Sequence, residues 1–347
     1  MTIDKIKYLG IFTLPVSVAI AFLNVGVLAY TPVLVFFFLV PIFELFLAPD
    51  YSNKEGEDRD KAMKDIYYDI LLYLMVPLQF GFLFWFLSIV GDDVSTVTKV
   101  GRIIGMGLMC GVIGINVGHE LGHRLNKFEN LFGDLLMLTS LENHFVPYHN
   151  RGHHNNVGTP KDPATARMSE PLYFFWFRSQ LGSYFQAWQI EINRMKIMKK
   201  GALSLKNKMV QYSLSHLFFL GLIYIQFDWV GLTYFFLAAF IGIILLETVN
   251  YIEHYGLIRV KNNKGKYERV RRKHSWNSDH VLGRAILFEL SRHSDHHFKA
   301  DRPYQILESR EDSPCMPTGY PGMMLMAFVP PLFFKVMNPR VKIAREL

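Results

Sequence analysis

The sequence is nearly without cysteine, with only Cys110 and Cys315 present. No disulfide framework, Cys-x-x-Cys zinc site or iron–sulfur cluster can be built from that pair. A glycine-rich phosphate loop, a dinucleotide-binding fingerprint and a Ser/His/Asp arrangement are missing too, which leaves nucleotide chemistry and serine hydrolysis without their usual parts. Charge is absent over long stretches. No Asp, Glu, Lys or Arg occurs between Lys7 and Glu44, nor within 70–91, 103–119, 209–227 and 229–246. A crossing of the bilayer core needs roughly 20 apolar residues, and the first run, interrupted near Tyr30-Thr31-Pro32, is long enough for two.

With 50% hydrophobic and 15% aromatic residues, the chain carries more apolar material than a soluble domain of its size, and carries it in blocks. The alternative, buried core helices of a large soluble protein, explains the blocks less well. The expected fold is all-α and integral to a membrane. It is one domain over 1–347, with six transmembrane helices at about 8–28, 31–48, 68–91, 100–118, 209–227 and 229–250 and with histidine-rich cytoplasmic segments at 119–208 and 254–347.

Cations are lacking in the short turns near 26–32, 91–98 and 227–229, and among 37 Lys and Arg only Lys99 and Arg102 fall at the opposite end of a span. Lys and Arg stay on the cytoplasmic side, so both termini, the 51–65 loop and the two histidine-rich segments are expected there, in the cell inner membrane. The charged start and the apolar run after it read as a retained signal anchor. The net charge of +7 fits this inside bias, headgroup contact and an acidic protein partner better than nucleic acid.

Histidine is what the chain has in quantity. His119 and His123 continue the fourth hydrophobic run in "HELGH", a match to the H-E-x-x-H zinc-protease helix in which Glu120 would be the general base. His149, His153 and His154 lie in "YHNRGHHNN", His293, His296 and His297 in "RHSDHHFKA", and His254 ends the sixth run in "NYIEHYG". These nine imidazoles exceed what one tetrahedral zinc can use, so two metals sharing eight or nine nitrogens is the simpler account. Imidazole suits zinc, copper, iron and nickel alike. A redox metal pair at the inner end of an apolar bundle points to oxygen activation on a lipid-soluble substrate, and the protease reading leaves seven clustered histidines unexplained.

The blocks "HELGHR", "HNRGHHNNVGTPKDPATAR", "NYIEHYGL", "HSWNSDH" and "RHSDHH" together closely resemble the integral-membrane alkane 1-monooxygenases, part of the membrane fatty acid desaturase/hydroxylase superfamily, from about Gly118 to Met324. The resemblance implies a non-haem diiron monooxygenase that uses O2 to convert a terminal methyl group to a primary alcohol. It implies two iron ions held by His119, His123, His149, His153, His154, His254, His293, His296 and His297. With no flavin or nicotinamide fingerprint in the chain, electrons must come from another protein. The resemblance makes that donor a rubredoxin, typically acidic, fed by a NAD(P)H-dependent rubredoxin reductase. The cations Arg259, Lys261, Lys264 and Lys266 with the run "RVRRKH" offer it a docking surface. The resemblance also aligns Phe36 with a bulky aromatic position suited to ending a substrate tunnel. Three positions depart from the common pattern, Tyr148, Asp279 and Ser291, and none removes a ligand.

Further polar candidates are His144, His274 and His280 near the clusters, His216 in the fifth run, and Glu120, Glu142, Asp162, Glu247, Glu253 and Asp295 as acceptors for the outward ring N–H of a ligand. The remaining alternatives are a desaturase or xylene-type methyl hydroxylase on the same scaffold, an intramembrane zinc protease, and a histidine-rich metal transporter. The last would need polar groups spaced through the helices, where this chain has almost none.

Overall fold

The computed structural model describes residues 3–346, and among these there is no strand, only the isolated bridges Lys261–Tyr267 and Asn277–Cys315. Among the described residues five segments are long and apolar enough to cross a membrane: α1 (Asp4–Leu23), α2 (Gly26–Phe46), α3 (Gly56–Ile89), α4 (Thr96–Gly122) and a very long one, Lys208–His254. Side chains supply the stops that apolar runs lack. Asp65 accepts from the Tyr67 amide where the apolar part of α3 begins, and Ser95 accepts from the Thr98 amide at the start of α4.

The long segment, expected as two helices, is divided at Asp228, whose φ of 57° and ψ of −166° break the helical path. The Asp228 carboxylate then accepts from the Trp229 amide at 2.6 Å, capping the second arm. The arms lie side by side, since the rings of Phe219 and Phe235 are 5.6 Å apart. The lone charge between 209–227 and 229–246 is therefore the hinge of a hairpin.

One element was not visible in the hydrophobic pattern. Helix α5 (Lys127–Leu138) does not stay outside the bundle but runs back along α4. A Cβ on Gly133 would meet the Gly118 carbonyl oxygen at 2.9 Å, and further along Thr139 accepts from Gln79 at 3.0 Å and receives the Cys110 thiol at 3.5 Å. Glycines at 114, 118 and 133 permit this approach, because any side chain there would overlap the facing helix. A short helical stretch over 145–156, α6, follows and carries the second histidine cluster. Then come α7 (Leu172–Ile197), α8 (Lys208–His254), α9 (Val281–Ile286), α10 (His293–Phe298), α11 (Tyr320–Ala327) and α12 (Pro330–Ala344).

The main apolar core lies between α1, α3, α4 and the second arm of α8, and a second core joins α7, the end of α8, α11 and α12. The end of α4, α6, the end of α8 and α10 meet where the two cores adjoin.

Candidate metal centre and apolar cavity

The nine clustered histidines converge in two groups. His119, His123, His149, His154 and His296 form one, and His153, His254, His293 and His297 the other, with the facing nitrogens of each group within 4.8 Å of one another. All of them are buried except His123 and His154, which are half-buried. The sorting cuts across the sequence clusters. His149 and His153 are four apart yet fall in different groups, while His149 and His154, five apart, share one and have their Nε2 atoms 2.9 Å apart. The backbone explains this: residues His149–His153 form a π-helical turn, whose wider i→i+5 pitch brings residues five apart onto one face. In α10 ordinary pitch holds, so His293 and His297 share the four-histidine group and His296 turns to the other.

The nitrogens that face inward are all Nε2. His119 Nε2 lies 2.8 Å from that of His149, 3.0 Å from that of His123 and 3.2 Å from that of His296. A neutral imidazole has one N–H, so no pattern of hydrogen bonds satisfies four such nitrogens at once; a cation between them does. In the second group Asp162 Oδ2 accepts from His153 Nδ1 at 2.9 Å, which leaves the Nε2 lone pair aimed at His254 and His297, 3.1 and 3.2 Å away. Burial pushes the pKa values of His123, His149, His154, His293 and His297 well below the ordinary histidine range, and that of His296 to about 3. These six rings are neutral with lone pairs free, as metal ligation requires. The donor set thus fits two metal ions.

Of the six carboxylates considered from the sequence, only Asp162 reaches the outward nitrogen of a clustered ring. Its own surroundings hold it ionised: burial alone would raise its pKa, but His153 and the hydroxyls of Thr165 and Tyr148 take it down to about 2. Tyr148, one of the three departures, belongs to this array, donating to Asp162 Oδ1 at 2.6 Å. Glu253 stands elsewhere, with Oε2 3.2 Å from the inward Nε2 of His293 and Oε1 accepting from Tyr320 at 2.7 Å. Asp295 takes Arg272 at 2.9 Å and Arg302 at 2.6 Å, bracing α10 without touching a ring. Glu120 accepts from Arg124 and from the Tyr304 amide. Glu142 accepts from Gln180, and Glu247 from Asn250.

The other histidines lie outside both groups. His144 meets Ser183, His216 meets Asn143, His274 meets Glu268 and His280 meets Ser278. Asp279 accepts from Arg292 and Asn277, and the Ser291 hydroxyl has no partner among the described residues. Sequence reasoning missed Ser275, 3.4 Å from His254 Nδ1, and Tyr320 beside Glu253; no spacing rule links either to a cluster.

An apolar cavity of about 110 Å³ joins these groups to the interior of the bundle. His119, His149, His293, Glu253 and Tyr320 line one end, and Phe36, Leu108 and Leu245 line it further up, with Gly111, Val112 and Val249 between. Leu108 is three helical turns from His119 along α4, roughly 16 Å. Of the three adjacent phenylalanines, Phe36 and Phe37 line the cavity whereas Phe38 is exposed on the outer surface.

Residues 98–324 match the family model described as Fatty acid desaturase, which places the chain in that class of membrane proteins. Over most of its length it is similar to Alkane 1-monooxygenase 1 of Alcanivorax borkumensis, 38% identical across 87% of this chain and 75% of that protein. It is also similar to Alkane 1-monooxygenase 2 of Pseudomonas aeruginosa, 38% identical across 89% and 82%. The xylene/toluene monooxygenase hydroxylase component of Pseudomonas putida is more distant, 25% identical across 87% and 79%. The chain belongs to the alkane 1-monooxygenase family of enzymes.

Proposed function

We propose that this enzyme hydroxylates the terminal methyl group of alkanes to primary alcohols, using O2 and electrons from a rubredoxin with its NAD(P)H-dependent reductase. The observation that carries this reading is the cavity, whose walls include Phe36 inside the bundle and His119, His149 and His293 from both histidine groups. Two iron ions bound by the nine imidazoles would supply, with O2, the oxidising chemistry that a primary C–H bond demands.

The chain's own residues do the rest. The apolar walls take an alkane lengthwise from the bilayer, present its last carbon to the histidine end, and exclude water. Asp162 fixes the tautomer of His153, and Tyr148 and Thr165 fix Asp162. Phe36 closes the far end of the tunnel.

We place six crossings in the cell inner membrane, the α8 hairpin counting as two, with termini and histidine groups on the cytoplasmic side; the cation distribution supports that orientation. The donor would approach the half-buried His123 and His154. The basic hairpin beside them is anchored there by Arg259, which donates to the Asn155 carbonyl at 2.8 Å, while Lys261, Lys264, Lys266, Arg269 and Arg271 are exposed.

The test is metal analysis of the purified protein, followed by turnover of octane, hexadecane and xylene under O2 with rubredoxin and reductase. About two irons per chain and 1-alkanols labelled from isotopic O2 are expected. An alkene product, or iron-free protein with full activity, would overturn the assignment.

A further inference from the structure

Helix α7 is not one of the segments apolar enough to cross a membrane, yet one line of its surface is strongly apolar. Phe174, Phe177, Leu181 and Phe185 are 72%, 68%, 57% and 67% exposed, and their spacing places them on one helical face. The same face continues through Gln189 and Asn193, both exposed and hydrogen-bonded to each other at 3.1 Å. Its character changes from apolar to polar within one turn, next to Tyr184 and Trp188, the aromatic types that favour a membrane–water boundary, and only Ile197 at the helix end is again apolar and exposed, at 84%.

The position of α7 gives that change a direction. Near its start, Trp176 donates to Thr248 at 3.0 Å and the ring of Phe175 lies 5.3 Å from Tyr251, both close to the end of the second arm of α8. Near its end, Glu191 accepts from the Lys208 amide at the beginning of the first arm. The helix thus passes from the foot of one arm of the hairpin to the foot of the other, across the bundle rather than along it. Arg178, the one cation in its apolar half, is turned inward onto Glu170 at 2.7 Å, so no charge interrupts the stripe. Beyond the polar half come Lys196, Lys199 and Lys200, suited to anionic headgroups.

We propose that the first half of α7 lies within the cytoplasmic lipid leaflet, with acyl chains covering Phe174, Phe177, Leu181 and Phe185, and that the helix emerges into water near Gln189. Lipid is the occupant because the stripe is continuous in kind with the exposed residues Leu217, Phe218 and Phe240 on the spanning arms of α8. The other faces of α7 bear on the residues that flank the second histidine cluster in the chain. Ser183 meets His144 at 3.3 Å, Gln180 holds Glu142 at 3.0 Å, and Gly182 sits so close to Pro163 that a Cβ would come within 2.5 Å of it. Lipid pressing on one side of α7 therefore supports the segment that carries His149, His153 and His154 on the other.

The inference rests on the bundle being membrane-spanning, and the experiment separates the two. In a Cys315→Ser background, with Cys110 fully buried, nitroxide labels are attached through Phe177→Cys, Leu181→Cys, Phe185→Cys, Gln189→Cys and Asn193→Cys, with Phe218→Cys on the α8 arm as control. The full chain is placed in nanodiscs of phosphatidylethanolamine and phosphatidylglycerol, and the metal content of each labelled protein checks its fold. Labels at 177, 181 and 185 should relax several-fold more with O2 than with a water-soluble nickel chelate, and labels at 189 and 193 the reverse. Chelate access at 177 and 181 equal to that at 193, with the 218 control still in lipid, refutes the proposal while leaving the spans intact. Exclusion of both reagents at 177 and 181 refutes it as well, since the stripe would then be covered by protein, such as a second copy of the chain.

Discussion

His149 and His153 are separated by one turn of backbone and by a change of metal group: the first faces His119 at 2.8 Å, the second His254 at 3.1 Å. The π-helical turn His149–His153 is what allows one short segment to serve both groups. In a regular α-helix residues four apart share a face and would crowd one site.

From this division follows a stoichiometric expectation. On the proposed two-iron centre, His149→Ala and His153→Ala should each lower bound iron from about two toward about one per chain, each emptying a different group, and the double variant should lose nearly all of it. Metal analysis of detergent-purified variants checks this. Full iron content and turnover in both single variants would break the link between the groups and metal binding.

Glu120 distinguishes the enzyme from a zinc protease. Both its contacts, Arg124 at 3.1 Å and the Tyr304 amide at 3.2 Å, are structural, so Glu120→Gln should keep a substantial part of alkane hydroxylation and the protein should not cleave casein. Peptide cleavage that disappears in Glu120→Gln would be decisive against the oxygenase reading.

The spans were legible because an uncharged run has few alternatives in a chain of this length, and a turn near 227–229 was legible because a single charge, Asp228, separates two such runs. The nine histidines were legible as a set through their clustering. Their division was not, because it depends on a π-helical turn that the letters "HNRGH" do not announce. Helix α5 was hidden by its charges. Glu129 and Asp134 argue for water, but in the fold Glu129 accepts from Tyr73 at 3.0 Å and Asp134 takes Tyr212 and Lys208, so the helix can lie against α4 with those groups satisfied. Phe36 was placed by resemblance, and the hydrophobic pattern by itself did not separate it from Phe38.

Glu289 was not singled out in the sequence, yet it joins the first helix to the segment leading into α10. It follows Phe288, and both residues have left-handed φ, 50° and 56°. It accepts from Tyr8 at 2.8 Å and Arg284 at 2.6 Å, pairs with Lys7 at 2.9 Å, and lies 3.6 Å from Arg292. Burial alone would raise its pKa, but these cations hold it at about 2 against an ordinary 4.5. A folded-state pKa below the unfolded one gives stability that is complete above about pH 4.5 and lost as pH falls toward about 2, on the order of 3 kcal/mol. Glu289→Gln should therefore unfold at lower temperature than wild type near neutral pH, and the gap should narrow as pH drops from about 6 to about 3. A gap independent of pH, measured by thermal unfolding in detergent, would remove the carboxylate charge from this account.

Phe36 sets the length of substrate that the cavity accepts, if the cavity is the alkane tunnel. Its side chain is only 7% exposed and lines the same space as His119 and Leu108, the latter about three turns of α4 from His119. Serine at this position would open room beyond the present stop without altering the end where His119, His149 and His293 meet the substrate. Each additional methylene that becomes buried contributes about 0.8 kcal/mol, roughly a factor of four in relative kcat/KM per carbon until the new space is filled. Phe36→Ser should thus move the optimum toward longer alkanes while the oxidised carbon stays terminal, because presentation of the methyl group depends on the walls nearer the metals. The check is a series from octane to hexadecane on wild type and variant, with gas-chromatographic identification of each alcohol and metal content measured alongside. A profile that does not move, in protein with unchanged iron, would mean that the tunnel ends before Phe36. The stop would then lie on the stretch between α4 and α8, where Gly111 approaches Leu245 so closely that an added Cβ would sit 3.0 Å from the leucine side chain.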